Sequence, residues 1–239
     1  MNNPGNWPLF WTAIRVEWER FRLLWRFHHP FSVVRRTVKR AVDFFGAFTA
    51  LILAGPALMA VAAAVKLTSR GPILYGQVRV GRAGRIFTMY KFRSMRIDAE
   101  ANGPVWSAGA DDPRLTPIGG LLRHSHLDEL PQLWNVLRGE MSLVGPRPLL
   151  VQYLERYSPE QARRHEVPPG ITGWAQVNGR NAISWEEKFR FDVWYVDHRT
   201  IWLDCRILLL TLVQVFRRHG ISPAGEEIMP EFTGSKRPG

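Results

Sequence analysis

The chain has 239 residues, of which 46% are hydrophobic, so it can bury one sizeable core and does not resemble a collagen-like, low-complexity or disordered protein. Its formal net charge of +11 indicates anionic partners, which include nucleic acid, an acidic membrane surface and phosphorylated substrates. Cys205 is the only cysteine, which excludes an internal disulfide framework and a multi-cysteine metal site and favours a reducing compartment.

The first predicted element is an amphipathic helix within an N-terminal extension, residues 1–37. Trp11, Trp18 and Trp25 recur every seven residues, and arginines surround this stripe. The pattern is typical of a helix on a lipid surface. It suits a helix packed against protein equally well, because Trp and Arg occur in both environments.

An uncharged apolar run over residues 44–65 follows, long enough at about 1.5 Å per residue to cross a hydrocarbon core of roughly 30 Å. Pro56 lies in its middle and removes one helical hydrogen bond, which predicts a break in the helix. Basic residues flank both ends, and both ends therefore prefer the cytoplasmic side. We predict that residues 38–68 form a re-entrant helix, in preference to a simple span or a buried helix of a soluble core.

The globular part is predicted to begin with a β-hairpin. Residues 73–80 and 86–93 are β-prone, and the sequence Gly81-Arg82-Ala83-Gly84 between them suits a turn whose glycines adopt positive φ. Lys91 and Arg93 would then share one face of the second strand.

A helical stretch is predicted next, because apolar residues fall at helical spacing: Leu130, Leu133, Trp134 and Leu137. We expect this stripe to face the core. Pro131 is best tolerated in a first turn, so the helix is expected to begin close to Asp128, with Gln132 and Asn135 on its polar face.

The remaining elements are a short capped helix, a loop and an apolar helix. Ser158, Pro159 and Gln161 form a capping-box pattern that predicts the start of the short helix. Residues 167–182 are expected to be a glycine-punctuated loop, and residues 200–218 a strongly apolar helix. The chain would end in a polar tail, residues 221–239.

Asp128 and Glu129 are the candidate catalytic pair. Near a helix start, Asp128 would be ionised beside a phosphate site, which suits a carboxylate nucleophile that attacks phosphorus. Glu129 offers oxygen to Mg²⁺, which takes one or two carboxylates and binds substrate phosphates. Helix capping is the ordinary alternative for two neighbouring acids.

Cationic residues near this pair favour the phosphate interpretation. Arg123 lies five residues upstream, and Arg147 lies between two prolines that restrict its backbone before binding. Arginine makes bidentate contacts with phosphate. Solvated surface positions would explain each arginine separately, and Lys91 with Arg93 would equally suit an exposed strand face.

Four motifs together are specific enough to indicate a family. They are Lys91-Phe92-Arg93-Ser94-Met95, Leu127-Asp128-Glu129-Leu130-Pro131-Gln132-Leu133, Ser142-Leu143-Val144-Gly145-Pro146-Arg147-Pro148 and Pro169-Gly170-Ile171-Thr172-Gly173-Trp174-Ala175-Gln176-Val177-Asn178-Gly179-Arg180. With them the chain resembles the bacterial sugar transferase family of monotopic phosphoglycosyl transferases, and most closely its small, PglC-like members. The resemblance covers roughly residues 38–232.

The resemblance implies an α/β, mainly helical fold. A Pro-broken re-entrant membrane hairpin would precede a small cytoplasmic catalytic domain, residues 69–220, with a short β-hairpin and amphipathic interfacial helices. Asp128 would attack the β-phosphate of a UDP-sugar and release UMP, and polyprenyl phosphate would then accept the phosphosugar. Glu129 would be the second acid, with Mg²⁺ bound at the Asp128-Glu129 pair.

The resemblance also implies further site residues and a location. Phosphate contacts would come from Arg123, Arg147, Lys91 and Arg180, while Trp174, Gln176 and Asn178 would belong to the nucleotide or sugar pocket. The protein would work on the cytoplasmic face of the bacterial inner membrane, in the first membrane step of a glycoconjugate pathway. Its partners would be a UDP-sugar, polyprenyl phosphate and membrane lipids, and an exposed apolar face would also suit a homodimer.

Two other classes of function compete with this one. A basic membrane adaptor would use the Trp-rich helix and the hairpin for attachment only. Nucleic-acid binding would use the +11 charge, but no nucleic-acid-binding motif is recognised and the apolar segment would have no role. We therefore expect no nucleic-acid partner.

Overall fold

The structure is a computed structural model that describes residues 33–99, 112–179, 183–216 and 231–234. The chain divides into two compact units, residues 1–39 and residues 40–239. Of the first unit, only residues 33–39 are described, and they are helical. The predicted amphipathic helix with Trp11, Trp18 and Trp25 lies outside the described residues.

The described part of the chain is mainly helical with two small sheets, which confirms the predicted class in this coarse form. In chain order the elements are α1 (Val33–Thr68), β1 (Leu74–Val80), β2 (Ile86–Phe92), α2 (Gly119–His124), α3 (Gln132–Arg138), β3 (Ser142–Val144), α4 (Pro159–Ala162), β4 (Gly170–Thr172), α5 (Trp174–Asn178), α6 (Trp185–His198) and α7 (Ile201–Phe216). Short 3₁₀ turns cover Arg82–Gly84, Leu127–Glu129, Val151–Arg156 and Arg163–Glu166.

Helix α1 contains the apolar run. Within the described ranges it is the one helix long and apolar enough to cross a membrane, and only 11% of its most apolar stretch is buried. Pro56 lies inside it, and the helical backbone continues through this residue. The expected separation into two helical arms is therefore not observed, since one lost hydrogen bond leaves the neighbouring turns in place. The re-entrant path stays a prediction.

The first half of α1 is tied to the globular unit by polar contacts. Arg40 donates to the carbonyl oxygens of Val136 and Leu137 at 2.5 and 2.6 Å, so it caps the end of α3. Asp43, which is buried, accepts from the Ser142 hydroxyl at 2.8 Å and from the Leu143 amide at 3.2 Å. These bonds fix residues 40–43 against α3 and β3.

The second half of α1 packs against the same unit. Val61 and Val65 are buried with Phe92 and Leu122, and the α1 terminus is held by Arg93, which donates to carbonyl and hydroxyl oxygens of residues 69–72. Arg93 is thus buried and structural, not part of an exposed strand face. Both halves of α1 therefore contact the same globular unit.

The predicted hairpin is confirmed. Strands β1 and β2 are antiparallel, with Val80 opposite Ile86. The left-handed positions of the turn are Ala83, with φ of 54°, and Gly84, with φ of 72°. Gly81 has φ of −102°, so Ala83 takes the place expected for that glycine.

A second, parallel sheet joins two motifs that the sequence alone did not connect. Ser142 pairs with Gly170, and Val144 pairs with Thr172. A Cβ atom on Gly170 would lie 2.1 Å from the Gly145 amide nitrogen, so only glycine fits this approach. The region expected to be a loop, residues 167–182, thus contains β4 and α5.

Helix α3 faces the core with most of the predicted stripe, since Leu130 and Leu137 pack against the same core cluster that buries Leu133. Leu133 and Val136 are buried against Phe87 and Met89 of β2, whereas Trp134 is 54% exposed. The predicted polar-face residue Asn135 is fully buried, because its amide group bonds the Tyr90 amide and the Thr88 carbonyl of β2. Backbone groups of the edge strand thus satisfy a polar side chain inside the core.

The capping box of Ser158 and Gln161 is confirmed at the start of α4. Ser184 and Glu187 form a second one at the start of α6, a helix that the sequence analysis did not predict. The predicted C-terminal apolar helix corresponds to α7.

The described part of the predicted polar tail is docked on the protein. Phe232 is 2% exposed and lies among the rings of Tyr153, Tyr157, Trp185 and Phe189. Arg156 donates to the carbonyl oxygen of Phe232. An aromatic side chain therefore anchors residues 231–234, in a segment that was expected to be a polar tail.

Replacing Phe232 by Ala should lower the free energy of unfolding by about 3–5 kcal/mol, because the substitution empties a site lined by four aromatic rings. Chemical denaturation followed by Trp fluorescence would measure the loss. Thr233→Ala is a suitable control. A change below about 1 kcal/mol in F232A would show that the contact contributes little.

Candidate active site

Three separate segments bring charged residues to one place. Strand β2 carries Lys91, the 3₁₀ turn Leu127–Glu129 carries the two acids, and the loop after β3 carries Arg147. Hydrogen bonds join all three through Glu129. The structure therefore brings Lys91, Glu129 and Arg147 together, although they are far apart in the sequence.

The acid pair lies in a 3₁₀ turn, not in the first turn of α3. His126, with φ of 56°, precedes the turn, and α3 begins at Gln132 after Pro131. No side-chain cap bond occurs at the start of α3. Helix capping, the ordinary alternative for this pair, is thus not what the two carboxylates do here.

Glu129 is clamped between two cations. Its Oε1 accepts from Lys91 Nζ at 2.7 Å and from Arg147 Nη2 at 2.5 Å, and its Oε2 accepts from Arg147 Nη1 at 3.3 Å. Burial would raise the pKa of this carboxyl, but Arg147 and Lys91 outweigh burial and hold the pKa well below its usual range. Glu129 is therefore ionised and orients both cations.

Asp128 is buried, and its carboxylate accepts no hydrogen bond from the described residues. It is 5% exposed, and within the described ranges its carboxylate interacts with Lys91, Arg123 and Arg147 through charge and not through a hydrogen bond. Its pKa is raised to about 6, chiefly by burial and also by the neighbouring Glu129, while Lys91, Arg123 and Arg147 oppose the rise. At pH 7 the ionised form still predominates, which leaves a carboxylate with little solvation and free lone pairs.

Arg123 approaches the acids from α2. Its Nε donates to the Ser94 hydroxyl at 3.2 Å, and its Nη2 lies 3.8 Å from Met95 Sδ. Its positive charge also lowers the pKa of Asp128.

Lys91 has a side chain that is 19% exposed, which excludes the solvent-facing alternative for that residue.

The electrostatic balance of this cluster favours an anion. Three cations, Lys91, Arg123 and Arg147, surround two carboxylates, which leaves one positive charge in excess. Arginine and lysine are the side chains that hold phosphate. A carboxylate beside such a phosphate site is suited to attack phosphorus and form an acyl phosphate.

Trp174, Gln176 and Asn178 lie on α5. Trp174 stacks on Trp194 at 4.8 Å, Gln176 donates to the Ile171 carbonyl at 2.9 Å, and Asn178 donates to the Trp174 carbonyl at 2.8 Å. These contacts account for the residues locally, except that Gln176 Oε1 is buried and has no hydrogen-bond partner among the described residues. The place of the three residues in a substrate pocket stays a prediction. Arg180 lies outside the described residues.

Asp128 and Glu129 are the acidic side chains of this cluster that could bind a cation. Among the residues that the structure describes, no cluster of three or more His, Cys, Asp and Glu side chains occurs. The two adjacent carboxylates match the number that Mg²⁺ commonly takes at sites where phosphate and water complete its shell. Asp128 is available, and Glu129 Oε2 accepts only one bond among the described residues, from Arg147 at 3.3 Å, so both acids retain lone pairs for a cation.

Sequence reasoning missed the residues that support these groups. Ser94 and Met95 hold Arg123, and the buried Arg164 donates to the carbonyl oxygen of Arg147 at 2.7 Å. Their contacts span many residues of sequence and follow no local periodicity. Ser94 and Met95 belong to one of the four sequence motifs, but nothing in that motif indicates that they hold Arg123, and Arg164 lies in none of the four motifs.

A model of the bacterial sugar transferase family matches residues 34–218. The chain is 48% identical over 198 residues to the uncharacterized sugar transferase EpsL of Bacillus subtilis, which covers 83% of this chain and 96% of that protein. This relative's name identifies no substrate.

Longer relatives have more specific names. The chain is 43% identical over 195 residues to the UDP-glucose:undecaprenyl-phosphate glucose-1-phosphate transferase of Escherichia coli, covering 78% of this chain and 42% of that protein. It is 41% identical over 199 residues to the undecaprenyl-phosphate galactose phosphotransferase of Salmonella typhimurium, covering 77% of this chain and 42% of that protein. The chain thus spans less than half the length of these two relatives.

Proposed function

The chain belongs to the bacterial sugar transferase family, and we propose on this basis that it transfers a sugar 1-phosphate from a UDP-sugar to a polyprenyl phosphate. The products would be UMP and a polyprenyl diphosphate sugar. The names of the E. coli and Salmonella relatives support this class of reaction. The observation that carries the proposal is the unengaged, buried Asp128 carboxylate among Lys91, Arg123 and Arg147.

In the first step, an Asp128 oxygen would attack the β-phosphorus of the UDP-sugar. The bond from that phosphorus to the oxygen bridging the two phosphates breaks, and UMP leaves with the electron pair. Arg147 and Lys91, held by Glu129, would stabilise the charge that develops on the phosphate oxygens. Asp128 then carries the phosphosugar as an acyl phosphate.

In the second step, an oxygen of the polyprenyl phosphate would attack the same phosphorus. The bond from phosphorus to the Asp128 oxygen breaks, and the carboxylate is restored. Because Asp128 is buried, water has little access to the acyl phosphate, which favours transfer to lipid over hydrolysis.

We propose that Mg²⁺ is bound by Asp128 and Glu129 together with substrate phosphates. The ion would neutralise charge on the diphosphate and stabilise the departing UMP. The two carboxylates are the hard oxygen donors that Mg²⁺ prefers. Glu129 would keep Arg147 and Lys91 oriented whether or not the ion is present.

Removal of Mg²⁺ with EDTA should lower UMP release by at least about 10²-fold, because the uncompensated phosphate charge then opposes attack by a carboxylate. Added Mg²⁺ should restore the rate, and Zn²⁺ should restore less, since it prefers nitrogen and sulfur donors. Unchanged UMP release in excess EDTA would contradict the magnesium proposal while leaving the transfer reaction intact.

The transfer reaction is tested with purified protein in detergent or nanodiscs, a panel of UDP-sugars and undecaprenyl phosphate. UMP release and a lipid-linked phosphosugar are expected with at least one donor. Asp98→Asn, an exposed acid paired with Arg96, serves as a matched control that should retain the wild-type rate. Absence of UMP with every donor would contradict the proposed function.

We further propose that the protein enters one leaflet of the inner membrane from the cytoplasmic face. Both halves of α1 contact one globular unit, and a straight span would place those contacts on opposite sides of the bilayer. The outer side of α1 exposes large apolar residues, among them Phe45, Leu53 and Met59. Helix α7 exposes Trp202 and Leu209, which would suit the lipid interface.

Cysteine labelling tests this topology. Arg36→Cys and Arg70→Cys, both at exposed positions, are introduced separately into a Cys205→Ser background. A membrane-impermeant maleimide should label neither in intact spheroplasts and both after lysis, because the two helix ends face the cytoplasm. Labelling of residue 36 before lysis would instead indicate a helix that crosses the membrane.

A further inference from the structure

A buried ion pair contacts the backbone of Arg147. Arg164, in the 3₁₀ turn Arg163–Glu166 that follows α4, donates through Nε and Nη2 to Asp192 Oδ2 of α6 at 3.0 and 2.8 Å. Both side chains are almost completely buried, with exposed fractions of 1% and 2%. A fully buried ion pair is costly in free energy unless its remaining hydrogen-bonding groups are satisfied.

Arg164 uses its remaining donors on specific partners. Nη2 also donates to the Arg147 carbonyl oxygen at 2.7 Å, and Nη1 donates to the Tyr157 hydroxyl at 3.3 Å. Its guanidinium carbon lies 5.8 Å from the ring centre of Tyr157 and 5.6 Å from that of Phe189. The planar guanidinium group is therefore fixed on its edges by hydrogen bonds and on its faces by aromatic rings.

The Arg147 carbonyl belongs to a loop with limited freedom of its own. Pro146 and Pro148 fix φ on both sides, the Gly145 amide donates to Thr172, and the Pro146 carbonyl accepts from Gly170. These bonds hold the loop up to residue 146. Arg164 is the side chain that holds the carbonyl of Arg147 itself.

We propose that Arg164 and Asp192 are positioning residues for the transfer reaction, acting through the backbone of Arg147. A fixed carbonyl at residue 147 sets the direction from which the Arg147 side chain reaches Glu129 and the substrate phosphate. A loop that moves by about 1 Å would lose the bidentate geometry on which phosphate contact depends. This inference rests on the proposed function for its kinetic consequence, but its structural consequence is independent.

The neighbouring residue provides a matched control. Arg163 also links the 3₁₀ turn to α6, through ion pairs with Glu166 and Asp197. Its described bonds reach Glu160, Glu166 and Asp197, and none of these residues belongs to the Arg147 loop. If these arginines only stabilised the 3₁₀ turn against α6, substitutions at Arg163 and Arg164 would have similar effects on the transfer rate.

The test uses substitutions that preserve charge. Asp192→Asn would remove the carboxylate that neutralises Arg164 and the nearby buried Lys188. Two buried cations would then have no counter-charge from residue 192, so this variant is at risk of unfolding. Arg164→Lys keeps the charge, but one ammonium group cannot reproduce the planar contacts with Asp192, Tyr157 and the Arg147 carbonyl. Asp192→Glu keeps the charge as well and displaces the carboxylate by one methylene, so it replaces R164K if that variant does not fold.

A kinetic double-mutant cycle with Arg147→Ala separates positioning from stability. In single-turnover UMP release, R164K should be about 10- to 100-fold slower than wild type, and R163K should be within about twofold. In the R147A background, R164K should slow release by less than about twofold, because the side chain through which it acts is absent. Its effect on thermal unfolding should persist there, since the residue 147 carbonyl remains.

Hydrogen exchange gives a second readout that does not depend on activity. The peptide containing residues 145–149 should exchange faster in R164K than in wild type, and at the wild-type rate in R163K. Wild-type exchange in R164K, or an equal kinetic penalty with and without Arg147, would overturn the proposal. If the wild-type protein released no UMP with any donor, the proposed function would fail, while the exchange comparison would still decide whether Arg164 fixes the loop.

Discussion

Replacing Asp128 by Asn is expected to abolish transfer, with UMP release slowed by at least about 10³-fold. The amide is nearly isosteric with the carboxylate but is not a nucleophile toward phosphorus. Folding should be retained, because burial raises the pKa of Asp128 to about 6, and ionised Asp128 at pH 7 therefore lowers the free energy of unfolding. The melting temperature of D128N should thus equal or exceed that of wild type.

Asp98→Asn is the control for this variant, because it makes the same chemical change at an exposed acid in a surface ion pair. D98N should keep full activity and wild-type stability. Wild-type UMP release in D128N would exclude Asp128 as nucleophile. Full lipid transfer in D128N would favour the alternative in which the acids are structural.

The second large effect is expected at Arg147. Arg147→Lys should slow UMP release by about 10²–10³-fold, because an ammonium group cannot make the two contacts that the guanidinium makes with Glu129. Lys91 would keep one contact with Glu129, so the acid would remain ionised but less firmly oriented. The loss should appear mainly in the rate of the first step.

Arg96→Lys is the control for this substitution, since the Arg96 side chain is 63% exposed and its described side-chain bonds go only to Asp98. It should leave the single-turnover rate within about twofold of wild type. A change smaller than about threefold in R147K would show that the bidentate contact is not used on the reaction path.

The features that could be predicted from the sequence are those with a local signal. The apolar helix α1 lacks charge over its central region, the hairpin has β-prone runs around a glycine-containing turn, and the two capping boxes at Ser158 and Ser184 follow from side-chain chemistry three residues apart. Ser184 and Glu187 carry the same signal as Ser158 and Gln161, so the start of α6 was predictable from the sequence as well. Hydropathy also predicted α7 almost to its ends.

The errors arise where tertiary contacts override a local pattern. Trp134 has core spacing but is exposed, because Asn135 turns inward to bond the backbone of β2. Strands β3 and β4 have three residues each and no detectable periodicity. Phe232 lies in a polar segment, and only the aromatic cluster that receives it makes its burial favourable.

The candidate site was recognised from motifs, whereas its geometry required the fold. The sequence identified Asp128, Glu129, Lys91 and Arg147, but it gave no indication that Glu129 binds both cations at once. It also associated Asp128 with the first turn of a helix, and the structure places this residue in a 3₁₀ turn before Pro131. Contacts between residues distant in sequence have no signature in a single chain.

The covalent mechanism is tested most directly by intact-protein mass spectrometry after incubation with a UDP-sugar and Mg²⁺ in the absence of polyprenyl phosphate. The account predicts a mass increase equal to one phosphosugar, located at Asp128 by peptide fragmentation, and its disappearance when polyprenyl phosphate is added. Release of UMP into a lipid-linked product by a protein that never gains this mass, under rapid quenching, would contradict it.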